Sequence, residues 1–227
     1  MHNVAKYGKN EKGGNDYLVG DIHGCFTKLY EELDKIGFNY DNDRLFCVGD
    51  YVDRGPESKD VVDFLAKPWV FGVMGNHEQM AIDYAAGFGH KDIYIQNGGK
   101  WFLDLTNSEQ QMIAEVFADL PLMIELETAN GIVGIVHAEC IDNDWNKTKE
   151  WLVKQPHVAS NVVMWGRDKI KYKDVTPVAG IHAVVVGHTP RNIPEKLGNV
   201  HYIDTGAVFG AKGSFTIINA ETLQKVN

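Results

Sequence analysis

The sequence predicts a mixed α/β (α+β) fold in which two β-sheets pack as a sandwich flanked by helices. Three observations predict it. A strand, polar loop and helix occur in that order three times between residues 16 and 87; a hairpin signal follows at "ANG"; and the apolar runs after it read as strands. Early alternation of strands with helices, followed mostly by strands, is the pattern of two packed sheets rather than of one doubly wound sheet.

The elements follow in order. Residues 1 to 15 are polar and glycine-rich and read as a loose arm. "DYLVG" (16–20) is a buried strand, and Phe26, Leu29, Tyr30, Leu33 and Ile36 then recur at helical spacing, with Gly37 as the stop. "RLFCV" (44–48) begins the second unit, followed by the loop "GDYVDRGPES" and a helix from about Ser58 that carries Val61, Val62 and Leu65. "WVFGV" (69–73), the loop "GNHE" and the helix "QMAIDYAAG" make the third. Successive units of this kind imply parallel strands with right-handed crossovers, so their loops emerge at one sheet edge, where ligands bind.

Beyond residue 90, "SEQQMIAEVFADL" reads as a helix opened by a capping box of Ser108 and Gln111. "LMIELETANGIVGIVHAEC" reads as two strands turning at "ANG", and "IHAVVVGHT", "VHYIDTG" and "SFTIINA" supply the late strands. With no internal repeat, low-complexity segment or linker, residues 1–227 are expected to form a single domain.

Composition narrows the function classes. The chain is 44% hydrophobic and 23% charged, as a globular protein is, and its net charge of -9 argues against nucleic acid or an anionic membrane as partner. No apolar run approaches the ~20 residues of a membrane span, and "MHNVAKYGKN" has no apolar signal region, so a soluble, cytoplasmic protein is expected. Cys25, Cys47 and Cys140 are odd in number and lack CxxC spacing, which leaves buried reduced thiols as their reading.

Five loops carry the chemistry, each directly after a predicted strand: Asp21 and His23; Asp50, Asp53 and Arg54; Asn76, His77 and Glu78; His137; and His188. Glycines frame most of them, as in "GDIHG", "GDYVDRG", "GNHE" and "GHTP", and glycine permits the close backbone approach that a crowded polar site needs. Carboxylate and amide oxygens mixed with imidazoles, without thiolates, suit manganese, iron or zinc. Asp21, His23, Asp50, Asn76, His137 and His188 exceed the ligand count of one ion and fit two. Asp50 is the expected bridge, with Asp21 and His23 on the first ion and Asn76, His137 and His188 on the second. A water between the ions would lose its proton and attack as hydroxide. His77 reads as the general acid for the leaving oxygen, with Asp53 holding its tautomer. Arg54 and Arg167 (in "MWGRD") offer guanidinium forks to a phosphoryl group. Two dications and two arginines against Asp21 and Asp50 leave a crevice of about +4 inside an acidic protein.

These motifs resemble the phosphoprotein phosphatase branch of the calcineurin-like metallophosphoesterases, most closely its small bacteriophage lambda-type members. The likeness extends to "GNHEQM", "NGG.WF", "DLPL.IEL" and "YIDTGAVF" and covers nearly the whole chain. It implies the metallophosphoesterase fold and two divalent ions, manganese being the metal with which the family is commonly assayed and iron or zinc the alternatives. It also implies hydrolysis of phosphoserine and phosphothreonine, and by some members phosphotyrosine, in phosphorylated proteins or peptides within the cytosol of a bacterium or phage host. No regulatory subunit is implied, because the chain is shorter than the eukaryotic members. The alternative is a symmetrical dinucleoside polyphosphate (diadenosine tetraphosphate) hydrolase, whose pattern tends to read GNHD and to lack a counterpart of Asp53; Glu78 and Asp53 favour the phosphatase.

The remaining polar residues read more plainly. Glu78 is a helix-start carboxylate, and His2, His90, His157, His182 and His201 are structural or solvated, although His201 and Asp204 begin a late loop within reach of the site. The tryptophans are core, and Tyr51 stands where an aliphatic residue is expected.

Overall fold

A computed structural model of the chain describes residues 3–210 and 213–227. His2 lies outside these described residues. Among the described residues, ten strands form two sheets. β2 (Asp16–Val19), β3 (Arg44–Cys47) and β4 (Val70–Gly72) run parallel, and β10 (Ile217–Asn219) joins β2 antiparallel to complete the four-stranded sheet in the order β10-β2-β3-β4. The six-stranded sheet contains β1 (Val4–Tyr7), β5 (Met123–Thr128), β6 (Gly131–Val136), β7 (Ala183–Val186), β9 (Val200–Tyr202) and β8 (Glu195–Leu197), in that spatial order. β5 and β6 form the antiparallel hairpin at "ANG".

The two-residue period of the strands sorts their side chains into layers. Leu18 and Phe46 point between the sheets and meet Ile124, Leu126, Val133, Ile135 and Val185 in an inner core. Their neighbours Tyr17, Val19, Leu45 and Cys47 point the other way, onto α1 (Phe26–Lys35), α2 (Val61–Leu65), α3 (Asn76–Ala85) and α6 (Asn107–Ala118). On the far face, Met123, Val136, Val184 and Val186 pack on Trp145 and Leu152 of α7 (Trp145–Lys154) and Val163 of α8 (Pro156–Trp165). Each fully buried aliphatic or aromatic side chain contributes ~1.5–3 kcal/mol, so both faces of both sheets hold the sandwich shut. No helix among the described residues is long and apolar enough to cross a membrane.

Several elements depart from the sequence expectation. The loose arm contains β1, which pairs parallel with β5 at the sheet edge; four residues with one exposed lysine carry too little periodicity to be seen alone. The capping box of α6 lies at Thr106 and Glu109, not Ser108 and Gln111, with the Thr106 side chain accepting from the Glu109 amide. α4 (Lys91–Gln96), α5 (Lys100–Leu103), α7, α8, α9 (Asp168–Tyr172) and β8 are further elements that the sequence pattern does not predict. Cys25 is free but only partly buried. α3 begins at Asn76, so Asn76 and His77 stand in a first helical turn instead of a loop.

Candidate active site

The carboxyl ends of β2, β3, β4, β6 and β7 open on one crevice between the sheets. Backbone strain gathers there: His23, Asp50, Asp53, Arg54 and His188 all have φ between 48° and 70°, a region non-glycine residues rarely occupy. The turn after β3 is cross-braced, with the Asp50 carbonyl accepting from the amides of Ile22 and His23 at 3.0 and 2.9 Å. Two glycines are sterically required. A Cβ on Gly75 would stand 2.2 Å from Asp50 Oδ1, and one on Gly187 would stand 2.0 Å from Asp21 Oδ1.

Asp50 is at the centre. Its Oδ1 lies 3.3 Å from His137 Nε2, while its Oδ2 lies 3.7 Å from His23 Nε2 and 3.8 Å from His77 Nε2. One oxygen thus faces each half of the crevice. Burial alone would raise this carboxyl, but His137 and His77 hold it well below the usual range.

In the inner half, His137 donates Nδ1–H to the Val48 carbonyl at 2.7 Å, which turns Nε2 toward Asn76 Oδ1 at 2.9 Å. His188 Nδ1 meets the same Asn76 oxygen at 2.8 Å. An imidazole nitrogen with a lone pair, an amide oxygen and a carboxylate oxygen are all acceptors, and either a proton on the ring nitrogen or a cation between them satisfies such an approach. Burial lowers His188 to about 3, assisted by His137, so it presents a neutral imidazole. Burial also opposes charging His137, yet Asp50 and its hydrogen bonds raise that group. Asp50, His137 and His188 can hold a metal ion together.

The outer half repeats the device. His23 donates Nδ1–H to the Val52 carbonyl at 2.7 Å and presents Nε2 to the crevice; burial lowers it to about 3. His23, Asp50 and His77 form a second group able to hold an ion. Tying one imidazole nitrogen to a fixed acceptor while the other faces the site is how ligating histidines are oriented. Oxygen and imidazole donors around a shared carboxylate fit a pair of divalent ions.

The other candidates are placed as follows. Asp21 is buried beside the His188 turn, both carboxylate oxygens accepting from the His188 amide at 3.1 Å; it belongs to neither tight group, and burial, Asp204 and Asp50 raise its pKa. His77 Nδ1 is 2.6 Å from Asp53 Oδ2, and its Nε2 faces Asp50. Arg54 is exposed but folds its guanidinium over the mouth, Nη1 at 2.5 Å from His23 Nε2 and Nη2 at 2.9 Å from His77 Nε2. Arg167 is exposed just before α9, near enough that its charge depresses His188, whose ring lies 6.1 Å from that of Trp165.

Three further residues contribute: Glu78 and Trp101 do more than cap a helix and fill the core, and Asp204 reaches the site as its late loop predicts. Glu78 is fully buried, and its carboxylate accepts from the amides of Gly75 and Asp50, both at 2.9 Å, and of Tyr51 at 2.8 Å. It is a clamp between two motif loops, and burial with Asp50 nearby pushes it up to about 7. Trp101, read as core, donates its indole N–H to Asp53 Oδ1 at 2.6 Å. Asp204 is buried, accepts from the Gly206 amide at 2.8 Å, and is pushed up to about 6 by burial. The sequence signal for Trp101 is the motif context "NGG.WF"; Asp204 has "YIDTGAVF" and its place at the start of a late loop, and Glu78 its "GNHE" frame. Tyr51 is buried in the helix-side core with its ring end over Gly72, where a Cβ would stand 2.1 Å from its hydroxyl.

Comparison with known proteins bears on this site. The family model described as calcineurin-like phosphoesterase matches residues 17–192. Serine/threonine-protein phosphatase 1 of Salmonella typhimurium is 36% identical over 199 residues, which are 86% of this chain and 88% of the relative. The asymmetrical bis(5'-nucleosyl)-tetraphosphatase PrpE of Bacillus mycoides is 28% identical, with 86% of this chain and 87% of the relative covered. A serine/threonine phosphatase structure from Saccharomyces cerevisiae superposes with a TM-score of 0.63 at 16% identity, over 97% of this chain and 78% of that one, a likeness of fold.

Proposed function

The chain belongs to the calcineurin-like phosphoesterase family, and on that premise we propose that it is a metal-dependent protein phosphatase hydrolysing phosphoserine and phosphothreonine monoesters. The observation that carries the reading is the relation to serine/threonine-protein phosphatases at 36% identity across 86% of the chain. Asp21, His23, Asp50, Asn76, His137 and His188 would hold two divalent ions, with manganese as the proposed metal. Such a pair would supply Lewis acidity and lower the pKa of a bound water.

The remaining work falls to the chain's own side chains. Arg54, and Arg167 from the opposite wall, grip the non-bridging oxygens of the phosphoryl group, the planar fork matching two oxygens at once. Charge builds on those oxygens during in-line displacement, so donors already aimed at them lower the barrier without reorganising. Asp53 keeps the His77 Nδ1–H engaged, and Nε2, which takes a hydrogen bond from Arg54 in this structure, would hand a proton to the departing serine or threonine oxygen once Arg54 turns to the phosphoryl group. No group of the protein needs to be phosphorylated. The substrate is a phosphorylated protein or peptide in a cytoplasmic setting.

The test is phosphate release by chelator-stripped protein, with and without manganese, from a phosphoserine peptide and from diadenosine tetraphosphate in parallel. Manganese-dependent release from the peptide with the dinucleotide inert is expected. Cleavage of the dinucleotide alone would reassign the chain to the activity that the name of the 28%-identical relative describes.

A further inference from the structure

Asp53 is fully buried in a left-handed backbone conformation, and each of its polar groups has a fixed partner. Its amide donates to Ser58 Oγ at 2.9 Å, Oδ2 meets His77 Nδ1 at 2.6 Å, and Oδ1 accepts from Trp101 Nε1–H at 2.6 Å. The Tyr94 hydroxyl is buried near the same carboxylate but outside hydrogen-bond geometry, which leaves the indole as the engaged donor to Oδ1. Trp101 sits on the short helix α5, packed against the helix-side core and in edge contact with Phe102 at 5.4 Å. It is therefore held by the core while reaching into the crevice wall.

We propose that Trp101 is a positioning residue for proton delivery: its indole N–H pins one oxygen of Asp53 so that the other stays on His77. A carboxylate with a single fixed donor can turn about its terminal bond, which has a broad torsional well. A carboxylate pinned at both oxygens cannot. Without the indole donor, Oδ1 is buried and unsatisfied, Asp53 turns toward any remaining donor, and the imidazole loses the partner that sets its tautomer and aim. The indole N–H is engaged by Asp53, so its loss is expected to act on leaving-group protonation. This inference rests on the reading of His77 as proton donor.

The test compares Trp101→Phe, which keeps an aromatic ring and deletes the donor, with His77→Asn, both manganese-loaded. Each is assayed on a phosphoserine peptide and on p-nitrophenyl phosphate, whose leaving group needs no proton. For Trp101→Phe, kcat is expected to fall ~10-fold on the peptide and less than ~2-fold on the aryl ester, with KM on both within ~2-fold of wild type. In an Asp53→Asn background the same substitution should cost less than ~2-fold more, because the contact is already lost. An equal fall on both substrates, or none on the peptide, overturns the inference. If His77→Asn itself fails to discriminate, the donor reading fails and the inference with it; if His77→Asn discriminates and Trp101→Phe does not, only the role of Trp101 fails. Should Trp101→Phe not fold, the nitrogen-15 spectrum of the intact protein decides: of the five tryptophan indole signals, one should move on Asp53→Asn substitution. Five unmoved signals would contradict the contact.

Discussion

His77, Asp53 and Trp101, on the four-stranded side of the crevice, form a line of hydrogen bonds with Asp53 in the middle, bonded to one partner through each oxygen. His137 and His188, after β6 and β7 of the six-stranded sheet, do the opposite: their ring nitrogens converge with Asn76 Oδ1, reaching from α3, on one small volume. A line fixes direction, which is what delivery of a proton to one leaving oxygen requires. Convergence fixes a point, which is what a cation requires. Asp50 serves both, one oxygen to each half, and its deep burial keeps the two arrangements in register.

The contrast is broken most completely at that shared residue. Asp50→Asn should lose at least one metal equivalent after manganese loading, as counted by mass spectrometry, with turnover falling to background on every substrate. Full metal content would remove Asp50 from the centre of the account. Arg54→Ala comes next, touching only the outer mouth: kcat on the phosphoserine peptide should fall by ~10² and inhibition by inorganic phosphate should weaken in parallel. Unchanged phosphate inhibition would take Arg54 out of the phosphate site.

Glu78→Gln sharpens the comparison by loosening the loops rather than emptying them. One of the three clamped amides would then face an NH₂ group, which should cost ~1–3 kcal/mol in urea denaturation while leaving metal content intact. A variant as stable as wild type would mean that the clamp is redundant. The smallest effect concerns Asp204, whose folded pKa of about 6 lies above the ordinary carboxylate value because of burial. Between ~3.9 and that value the native state binds more protons than the unfolded one, so chelator-stripped protein should lose stability as pH rises through the window. Asp204→Asn should flatten that slope; an identical slope would assign it to other carboxylates.

How much of this was legible in the sequence differs between the halves for a physical reason. The four-stranded side is built from consecutive units whose strands pair with sequence neighbours, so "GDIHG", "GDYVDRG" and "GNHE" announce both their elements and their shared edge. The six-stranded side joins β1 to β5 across more than a hundred residues and needs α7 and α8 to cover it. These helices carry only three buried positions each, and the four-residue β1 shows no burial contrast to reveal it. His137 and His188 were still visible as lone histidines after apolar runs. The clamp made by Glu78 and the Asp53 contact of Trp101 were not, because they depend on hydrogen bonds to partners tens of residues away. A spacing rule cannot register such a contact, and an aromatic in a short amphipathic stretch looks like core.

Metal counting on His77→Asn and His137→Asn side by side, after chelation and manganese loading, tests the division between the halves most directly. The account predicts the wild-type metal content for His77→Asn, with turnover lost chiefly on substrates whose leaving group needs a proton, and a clear metal deficit for His137→Asn on any substrate. Equal metal loss in both variants would contradict it, and would make His77 part of the metal site instead of the line that serves the leaving group.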